Sequence, residues 1–209
     1  FNDNAGMQLQ DISPYGNHGL LSGFPVGVTR PHIGLRFDGS NDKIIMSEEA
    51  KGLFNFERTD PFSVLLWLKP SQAAINVDIL CRMLSSGTYR GWALKQLSTG
   101  ELRVILASDQ DVGALYIEVS SPTTTFTLNT WVHIVMTYNG SSAAAGVTVY
   151  KNAVSQAMLT AKDTLSATMQ QATTAFSFGD FVSDPFAGVI GEGLAWIRWL
   201  IPQEGKALY

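Results

Sequence analysis

Apolar and polar residues alternate along most of this chain in short segments. FSVLLWLKP at residues 62–70 and WVHIVMTY at residues 131–138 are two examples. The stretches between such segments are rich in Gly, Asn, Asp, Ser and Thr, which favour turns. An alternation of period two places successive side chains on opposite faces of a strand, whereas helical periodicity is almost absent. The pattern predicts an all-β fold, an antiparallel β-sandwich that forms a single domain over residues 1–209.

The segment WVHIVMTY indicates which face of its strand meets the core. One face carries Val132, Ile134, Met136 and Tyr138. This face is the more apolar of the two, so we expect it to point inward. A second strand, GVTVYK, is predicted after a loop that opens at Asn139 and Gly140, and VSQAMLT at residues 154–160 is predicted as a further strand. A short helix is predicted at the C-terminal end, where PQEGKALY has Pro202 in its first turn.

The segment DGSND at residues 38–42 lies between two alternating runs and contains two carboxylates. An Asp-Gly step adopts positive φ easily, and Ser and Asn side chains hydrogen-bond the nearby backbone. These properties predict a hairpin turn. The alternative is that Asp38 or Asp42 is a calcium ligand.

Composition excludes several classes of protein. The net charge is −4 and Lys and Arg form no cluster, so nucleic-acid binding is not expected. No apolar run approaches the roughly 20 residues of a membrane-spanning helix. Cys81 is the one cysteine, which excludes an internal disulfide, and its place in DILCRM predicts a buried thiol. Because the chain begins with Phe1 rather than Met, we expect a processed form or a part of a longer protein.

Several stretches follow one another in a recognisable order. They are DISPYGNHGLLSG (11–23), LRFDGSNDKIIM (35–46), FSVLLWLKP (62–70), NTWVHIVMTYNG (129–140) and FAGVIGEGLAWIRWLIPQEGKALY (186–209). In order and spacing they resemble the LamG-like jelly-roll family, the laminin G-like branch of the concanavalin A-like lectin/glucanase superfamily. The resemblance implies two antiparallel sheets of about six or seven strands each, closed by a long strand and a short C-terminal helix.

The carboxylates of the chain argue against an enzyme. Glucanases of this superfamily carry two or three carboxylates that alternate along one strand and therefore share a face. Here GVIGEGLAWIRWL holds only Glu192, and ALYIEVS holds only Glu118. The histidines His18, His32 and His133 lie in different segments, without a nucleophile elbow or a metal-binding helix. We therefore expect no catalysis, and a diverged glycoside hydrolase is the least favoured alternative.

The resemblance also raises the question of calcium. In the family a structural calcium is often held between the first loop and an Asp of the final strand. The corresponding loop here offers Asp11 and Asn17 as candidate ligands, but Gly191 stands where the final-strand Asp would be. Calcium is thus the one cofactor that the resemblance implies. The residues alone are equally consistent with a loop held by its own hydrogen bonds.

Sugar recognition needs an aromatic side chain for the apolar face of the ring and planar polar groups for its hydroxyls. Two predicted loops offer both. The candidate ligand-binding residues are Tyr89, Arg90, Trp92, Asp180, Phe181 and Asp184. A second interpretation assigns Trp92 and Phe186 to the core and the rest of these loops to solvent.

These observations lead to two expectations about function. The first is a non-catalytic β-sandwich, extracellular or on the exterior of a virion, that binds glycans or a protein partner. The alternative is a structural decoration or assembly module that docks on neighbouring chains and binds no sugar. The small charged fraction of 15% and a slightly positive mean hydropathy are consistent with the second expectation.

Overall fold

The computed structural model consists almost wholly of β-strands joined by turns. It describes residues 7–11, 16–25, 34–46, 52, 54–72, 76–122, 126–179, 185–196, 198, 200 and 204, without the side chains of residues 192–196. The strands within these ranges are β1 (Gln8–Leu9), β2 (Gly19–Ser22), β3 (Leu35–Asp38), β4 (Lys43–Met46), β5 (Phe62–Pro70), β6 (Val77–Met83), β7 (Gly91–Gln96), β8 (Leu102–Asp109), β9 (Leu115–Ser120), β10 (Val132–Tyr138), β11 (Val147–Lys151), β12 (Val154–Ser155), β13 (Leu159–Asp163), β14 (Ser177–Phe178) and β15 (Ala187–Trp196). A 3-10 turn at Ala144–Gly146 precedes β11.

The described strands form two antiparallel sheets, which confirms the all-β sandwich. The larger sheet has the order β1-β2-β4-β14-β6-β7-β8-β9-β13, and the smaller sheet has the order β12-β11-β10-β5-β15-β3. Nine strands in the larger sheet exceed the six or seven that were expected. The excess includes the two-residue strands β1 and β14, which are too short to stand out in an alternation pattern.

The core lies between the inward faces of the two sheets. All four inward residues predicted on β10 are at most 4% exposed and belong to this core, so that prediction is confirmed. Aromatic rings fill its centre. Phe62 on β5 stacks on Phe56 with ring centroids 4.1 Å apart, and it lies 5.3 Å from the indole of Trp92 across the sandwich. Burial of such side chains stabilises the fold by about 1.5–3 kcal/mol each.

The outer face of the smaller sheet is also covered. Val135 and His133 point away from the core, yet both are fully buried. Leu200 packs in a cluster with Val135, and its backbone N–H donates to the Ser63 hydroxyl at 3.0 Å. The same hydroxyl donates to the carbonyl oxygen of Arg198 at 2.9 Å. Arg198 and Leu200 therefore lie against this face, which leaves less of it open to a ligand.

The predicted hairpin at DGSND is wrong. The strand before it, β3, pairs with β15 in the smaller sheet, whereas β4 pairs with β2 and β14 in the larger sheet. The segment thus carries the chain from one sheet to the other. Its turn chemistry is as expected: Gly39 has a φ of 82°, and the Asp42 carboxylate accepts the Asp38 N–H at 2.9 Å. Such chemistry specifies a reversal of direction but not the sheet that the next strand joins.

Other local predictions have mixed outcomes. β10 and β11 pair in antiparallel fashion after a loop that opens at Asn139 and Gly140, as predicted. VSQAMLT, predicted as one strand, is divided between β12 in the smaller sheet and β13 in the larger sheet. Of the predicted C-terminal helix, only Glu204 is among the described residues, and it is helical. Pro202 lies outside them.

Candidate functional site

A groove of about 390 Å³ lies on the outer face of the larger sheet, where β6, β7 and β8 run side by side. This volume falls within the range of small-molecule sites in proteins. Its lining includes charged, apolar and aromatic side chains, among them Asp78, Met83, Tyr89, Lys95, Arg103 and Ile105. The groove therefore combines the side-chain types that a polar organic ligand requires.

Strand alternation explains why charged side chains line this groove. On β7, Trp92 and Leu94 belong to the core, so Lys95 lies on the opposite face. Register places Asp78 of β6 and Arg103 of β8 opposite Lys95 on its two neighbouring strands. Residues paired in this way lie on the same face with Cβ atoms about 5 Å apart. Three charged residues thus form a row across three adjacent strands.

Apolar side chains form a buried patch beside this row. It contains Cys81, Met83, Ala93, Ile105 and Ala107, with Tyr116 packed against it. Met83 and Ile105 also line the groove and give it an apolar floor. Cys81 is 1% exposed, which confirms the buried thiol predicted from the sequence.

The charges in the row are paired, and the two cations are more exposed than their partners. Lys95 Nζ lies 3.2 Å from Asp78 Oδ1, with side-chain exposures of 21% and 3%. Arg103 Nε lies 3.2 Å from Glu118 Oε1, with exposures of 33% and 14%. The two cations are neighbours, and the carboxylates lie to either side of them and deeper. The cationic side chain is therefore the more accessible member of each pair, although the four charges sum to zero.

The loop between β6 and β7 carries an aromatic ring to the rim of the groove. Tyr89 has a φ of 48°, which is uncommon for a residue other than Gly, and it is 41% exposed. The loop is tied to β8 and to the turn after it. The Arg90 side chain donates from Nε to the carbonyl oxygen of Ser108 at 3.1 Å, and the N–H of Gln110 donates to the carbonyl oxygen of Thr88 at 2.7 Å. These contacts hold the Tyr89 backbone beside the groove.

The structure separates the three residues proposed in this loop. Tyr89 lines the groove, whereas Arg90 is half-buried and bonds to the β8 backbone. The expectation that Trp92 contacts a ligand is corrected, because its side chain is 1% exposed in the core and its Nε1 donates to the carbonyl oxygen of Phe54 at 2.9 Å. The remaining candidates lie outside the described residues; they are Asp180, Phe181 and Asp184.

Sequence reasoning missed most of the groove because it concentrated on loops. Asp78, Lys95, Arg103 and Gln110 all line it, and the first three belong to strands. The available signal was a charged residue at an outward position of three largely apolar segments, VDILCRM, GWALKQ and LRVILASD. A single segment of this kind is unremarkable. The site emerges only when the register brings three of them together.

Asp78 and Glu118 lie on strands of the larger sheet that are not neighbours. Asp78 lies on β6 and Glu118 on β9, with β7 and β8 between them. Three strand spacings correspond to about 14 Å. The catalytic carboxylates of glycoside hydrolases stand about 5–10 Å apart. Each of the two is also ion-paired with a cation. The side chain of Glu192 lies outside the described residues.

The loop proposed for calcium is held by local hydrogen bonds. The Asn17 N–H donates to Asp11 Oδ2 at 2.8 Å, and the Asp11 N–H donates to His18 Nδ1 at 3.1 Å. Within the described part of the chain, no group of three or more His, Cys, Asp or Glu residues is arranged to hold a metal ion. Asp11 therefore brings one carboxylate to a cation that needs six to eight oxygens. Calcium at Asp11 and Asn17 stays a prediction.

Comparison with known proteins yields one family and one fold. The Laminin_G_3 family model, described as concanavalin A-like lectin/glucanases superfamily, matches residues 38–204. The search for relatives among curated proteins found no match. No helix in the described ranges is long and apolar enough to cross a membrane.

Three solved structures illustrate the similarity in fold. The receptor-binding domain of botulinum neurotoxin C/D mosaic serotype is 19% identical with a TM-score of 0.69, over 100% of this chain and 51% of that one. The binding domain of botulinum neurotoxin DC in complex with SialylT is 14% identical with a TM-score of 0.65, over 99% and 51%. A Ruminococcus gnavus sialidase CBM40 bound to alpha2,3 sialyllactose is 12% identical with a TM-score of 0.67, over 84% and 96%. The chain spans about half of the toxin domains, and the shared feature is a lectin-like jelly roll.

Proposed function

Because the chain belongs to the Laminin_G_3 family of the concanavalin A-like lectin/glucanases superfamily, we propose that it binds carbohydrate in the groove across β6, β7 and β8. One observation carries the proposal: an exposed Tyr89 ring, an apolar floor and several polar side chains converge on the same groove. Two structural neighbours named for complexes with sialyllactose and SialylT support the ligand class.

Different groove residues would contact different parts of the sugar. The Tyr89 ring would stack on the apolar face of a sugar, and Met83 and Ile105 would exclude water from beneath it. Arg103 and the amide of Gln110 would hydrogen-bond the hydroxyls. The floor supplies affinity, and the polar groups fix the orientation of the ring. Recognition of this kind needs no catalytic step.

The proposed role is non-catalytic binding outside a cell or on the exterior of a virion. The strands that carry Asp78 and Glu118 are three spacings apart, about 14 Å between backbones, and each carboxylate is ion-paired, which supports binding without hydrolysis. Binding to a surface glycan also fits an open groove better than an enclosed one, because one end of a long chain can extend into solvent.

The proposal is tested by glycan-array screening followed by calorimetry on the best ligand. Tyr89→Ala is expected to weaken binding about tenfold, because the stacking surface is lost. Tyr89→Phe keeps the ring and is expected to bind within about threefold of the parent protein. Val112→Ala is a matched surface control, since Val112 is 91% exposed and does not line the groove. Absence of any glycan ligand, or equal binding by Tyr89→Ala, would overturn the proposal.

A second candidate function, assembly with neighbouring chains, is favoured by exposed apolar residues on edge strands. Val154 on β12 is 63% exposed and Leu159 on β13 is 67% exposed. Among the described residues each strand is the last in its sheet, a position that favours pairing with another chain. Light scattering over a range of concentrations tests self-association. Oligomers that disappear in the Val154→Asp/Leu159→Asp variant would support this function, and a monomer at every concentration would count against it.

A further inference from the structure

We propose that the groove selects sugars that carry a carboxylate, a class that includes sialic and uronic acids. The inference rests on the proposed carbohydrate binding and adds a preference to it. Its basis is that Lys95 and Arg103, which both line the groove, are paired on adjacent strands.

The two cations of the groove are more exposed than the carboxylates paired with them. Asp78 is nearly inaccessible at 3% exposure, and Glu118 is 14% exposed, whereas Lys95 and Arg103 are 21% and 33% exposed. A ligand approaching from solvent therefore meets the Lys95 and Arg103 side chains before either carboxylate. A neutral hydroxyl gains an ordinary hydrogen bond from such groups, while a ligand carboxylate gains a charge-assisted one, which is about twice as strong.

The spacing of Lys95 and Arg103 also suits a single carboxylate. Lys95 and Arg103 are register partners, so their Cβ atoms lie about 5 Å apart on one face. Both side chains are long enough to reach a single carboxylate placed between them. The ion pair of Arg103 with Glu118 involves Nε, which leaves the Nη groups to donate toward a ligand. Arg can hold a carboxylate in a bidentate geometry, and Lys adds a point charge beside it.

The positive and negative charges at the groove balance one another. Lys95 is paired with Asp78 and Arg103 with Glu118, so the groove has no net charge to attract anions from a distance. The chain as a whole has a net charge of −4. A polyanion such as a nucleic acid would therefore be repelled at long range, whereas one carboxylate on a sugar interacts only at contact distance. The expected ligand has a single acidic group on an otherwise neutral glycan.

Matched sugar pairs test the inference by calorimetry. One pair is 3′-sialyllactose and lactose, and the other is a disaccharide ending in glucuronic acid and its counterpart ending in glucose. We expect the acidic member of at least one pair to bind about tenfold more tightly. The two pairs also identify the source of the carboxylate, because they distinguish a sialic acid from a uronic acid.

Two variants assign the preference to the groove. Arg103→Gln and Lys95→Gln are each expected to reduce the preference, measured as the ratio of the two affinities within each variant, to about threefold or less. Arg103→Lys retains a cation and is expected to keep part of the preference, which covers the case in which a neutral variant folds poorly. Arg198→Gln is the matched control, because Arg198 is 55% exposed, ion-paired with Glu204 at 2.9 Å and outside the groove.

The outcomes separate this inference from the proposed function. Equal binding of the acidic and neutral members, with both lost in Tyr89→Ala, would overturn the acid preference and leave carbohydrate binding intact. A preference unchanged in Arg103→Gln and Lys95→Gln would also overturn it. If neither member of either pair binds and the array shows no ligand, carbohydrate binding itself fails.

Discussion

Trp92 and Lys95 lie three residues apart on β7 and have opposite surroundings. The indole is enclosed by Phe56, Phe62 and other core side chains, and the ammonium lies at the groove. The difference follows from strand alternation, since a shift of one residue exchanges the two faces. At the scale of single residues, the role of a side chain therefore depends on the face of the sheet where it lies as much as on its residue type.

His133 lies on the covered face of the smaller sheet and should make stability depend on pH. It is fully buried beside Trp67, with ring centroids 4.8 Å apart, and burial lowers its pKa. In the unfolded chain a histidine takes up a proton below about pH 6.5. The unfolded state then binds more protons than the folded state, so the free energy of unfolding falls as the pH falls below that value.

Urea unfolding at pH 8 and pH 5.5 measures this effect. The parent protein should be less stable at pH 5.5, and His133→Gln should lose less stability between the two values. Comparing the two proteins removes the contributions of other groups, including Asp42, whose pKa is raised by burial. His18→Gln is the control and should retain the full dependence, since it leaves His133 in place. If His133→Gln and the parent protein lose the same stability between pH 8 and pH 5.5, the assignment to His133 is contradicted.

At the scale of elements, the sequence predicted strands better than their partners. β5 coincides with the predicted segment FSVLLWLKP, because alternation and flanking turns are local signals. DGSND and VSQAMLT were misread because the choice of sheet depends on residues far away in the chain. The row formed by Asp78, Lys95 and Arg103 has the same origin. Each residue is visible in the sequence, but their proximity requires the register of three strands.

The loop after β10 contains a glycine that its surroundings require. Gly140 has a φ of 77°, and a Cβ there would lie 2.5 Å from the carbonyl oxygen of Thr59. Gly140→Ala should therefore destabilise the protein by about 1–3 kcal/mol, because backbone strain and a steric clash add together.

Gly87 provides a matched control for this substitution. Its φ is 68°, but a Cβ there would meet no atom within 4 Å. Gly87→Ala should cost only about 1 kcal/mol from the backbone conformation. Urea unfolding measures both variants. If the two lose equal stability, the contact with Thr59 does not matter and only the positive φ does.

At the scale of the whole molecule, the two outer faces of the sandwich differ. The smaller sheet is covered in part by Leu200 and its neighbours, and the larger sheet carries the groove. The loop around Asp11 belongs to the end of the larger sheet formed by β1 and β2, on the far side of that sheet from β8 and β9. Calcium there would act on stability rather than on the ligand.

A chelator tests the calcium prediction. If Asp11 and Asn17 hold calcium, the melting temperature should fall in excess chelator and recover when calcium is restored, since a ligand that binds only the folded state stabilises it. Asp11→Ala should abolish that response. Asp109→Ala is a control in a different loop, where the carboxylate accepts the N–H groups of Asp111 and Gly113. A melting temperature indifferent to chelator would leave the Asp11 loop held by its hydrogen bonds alone.

Because Leu200 packs against the smaller sheet, the two outer faces of the sandwich are not equivalent. Residues 198 and 200 lie over the face opposite the groove, with both sheets between them and the groove. A solid support coupled to the protein near residue 200 would be attached to the face opposite the groove. Tyr89 would then point outward, so that an immobilised layer of the protein presents every groove to the medium.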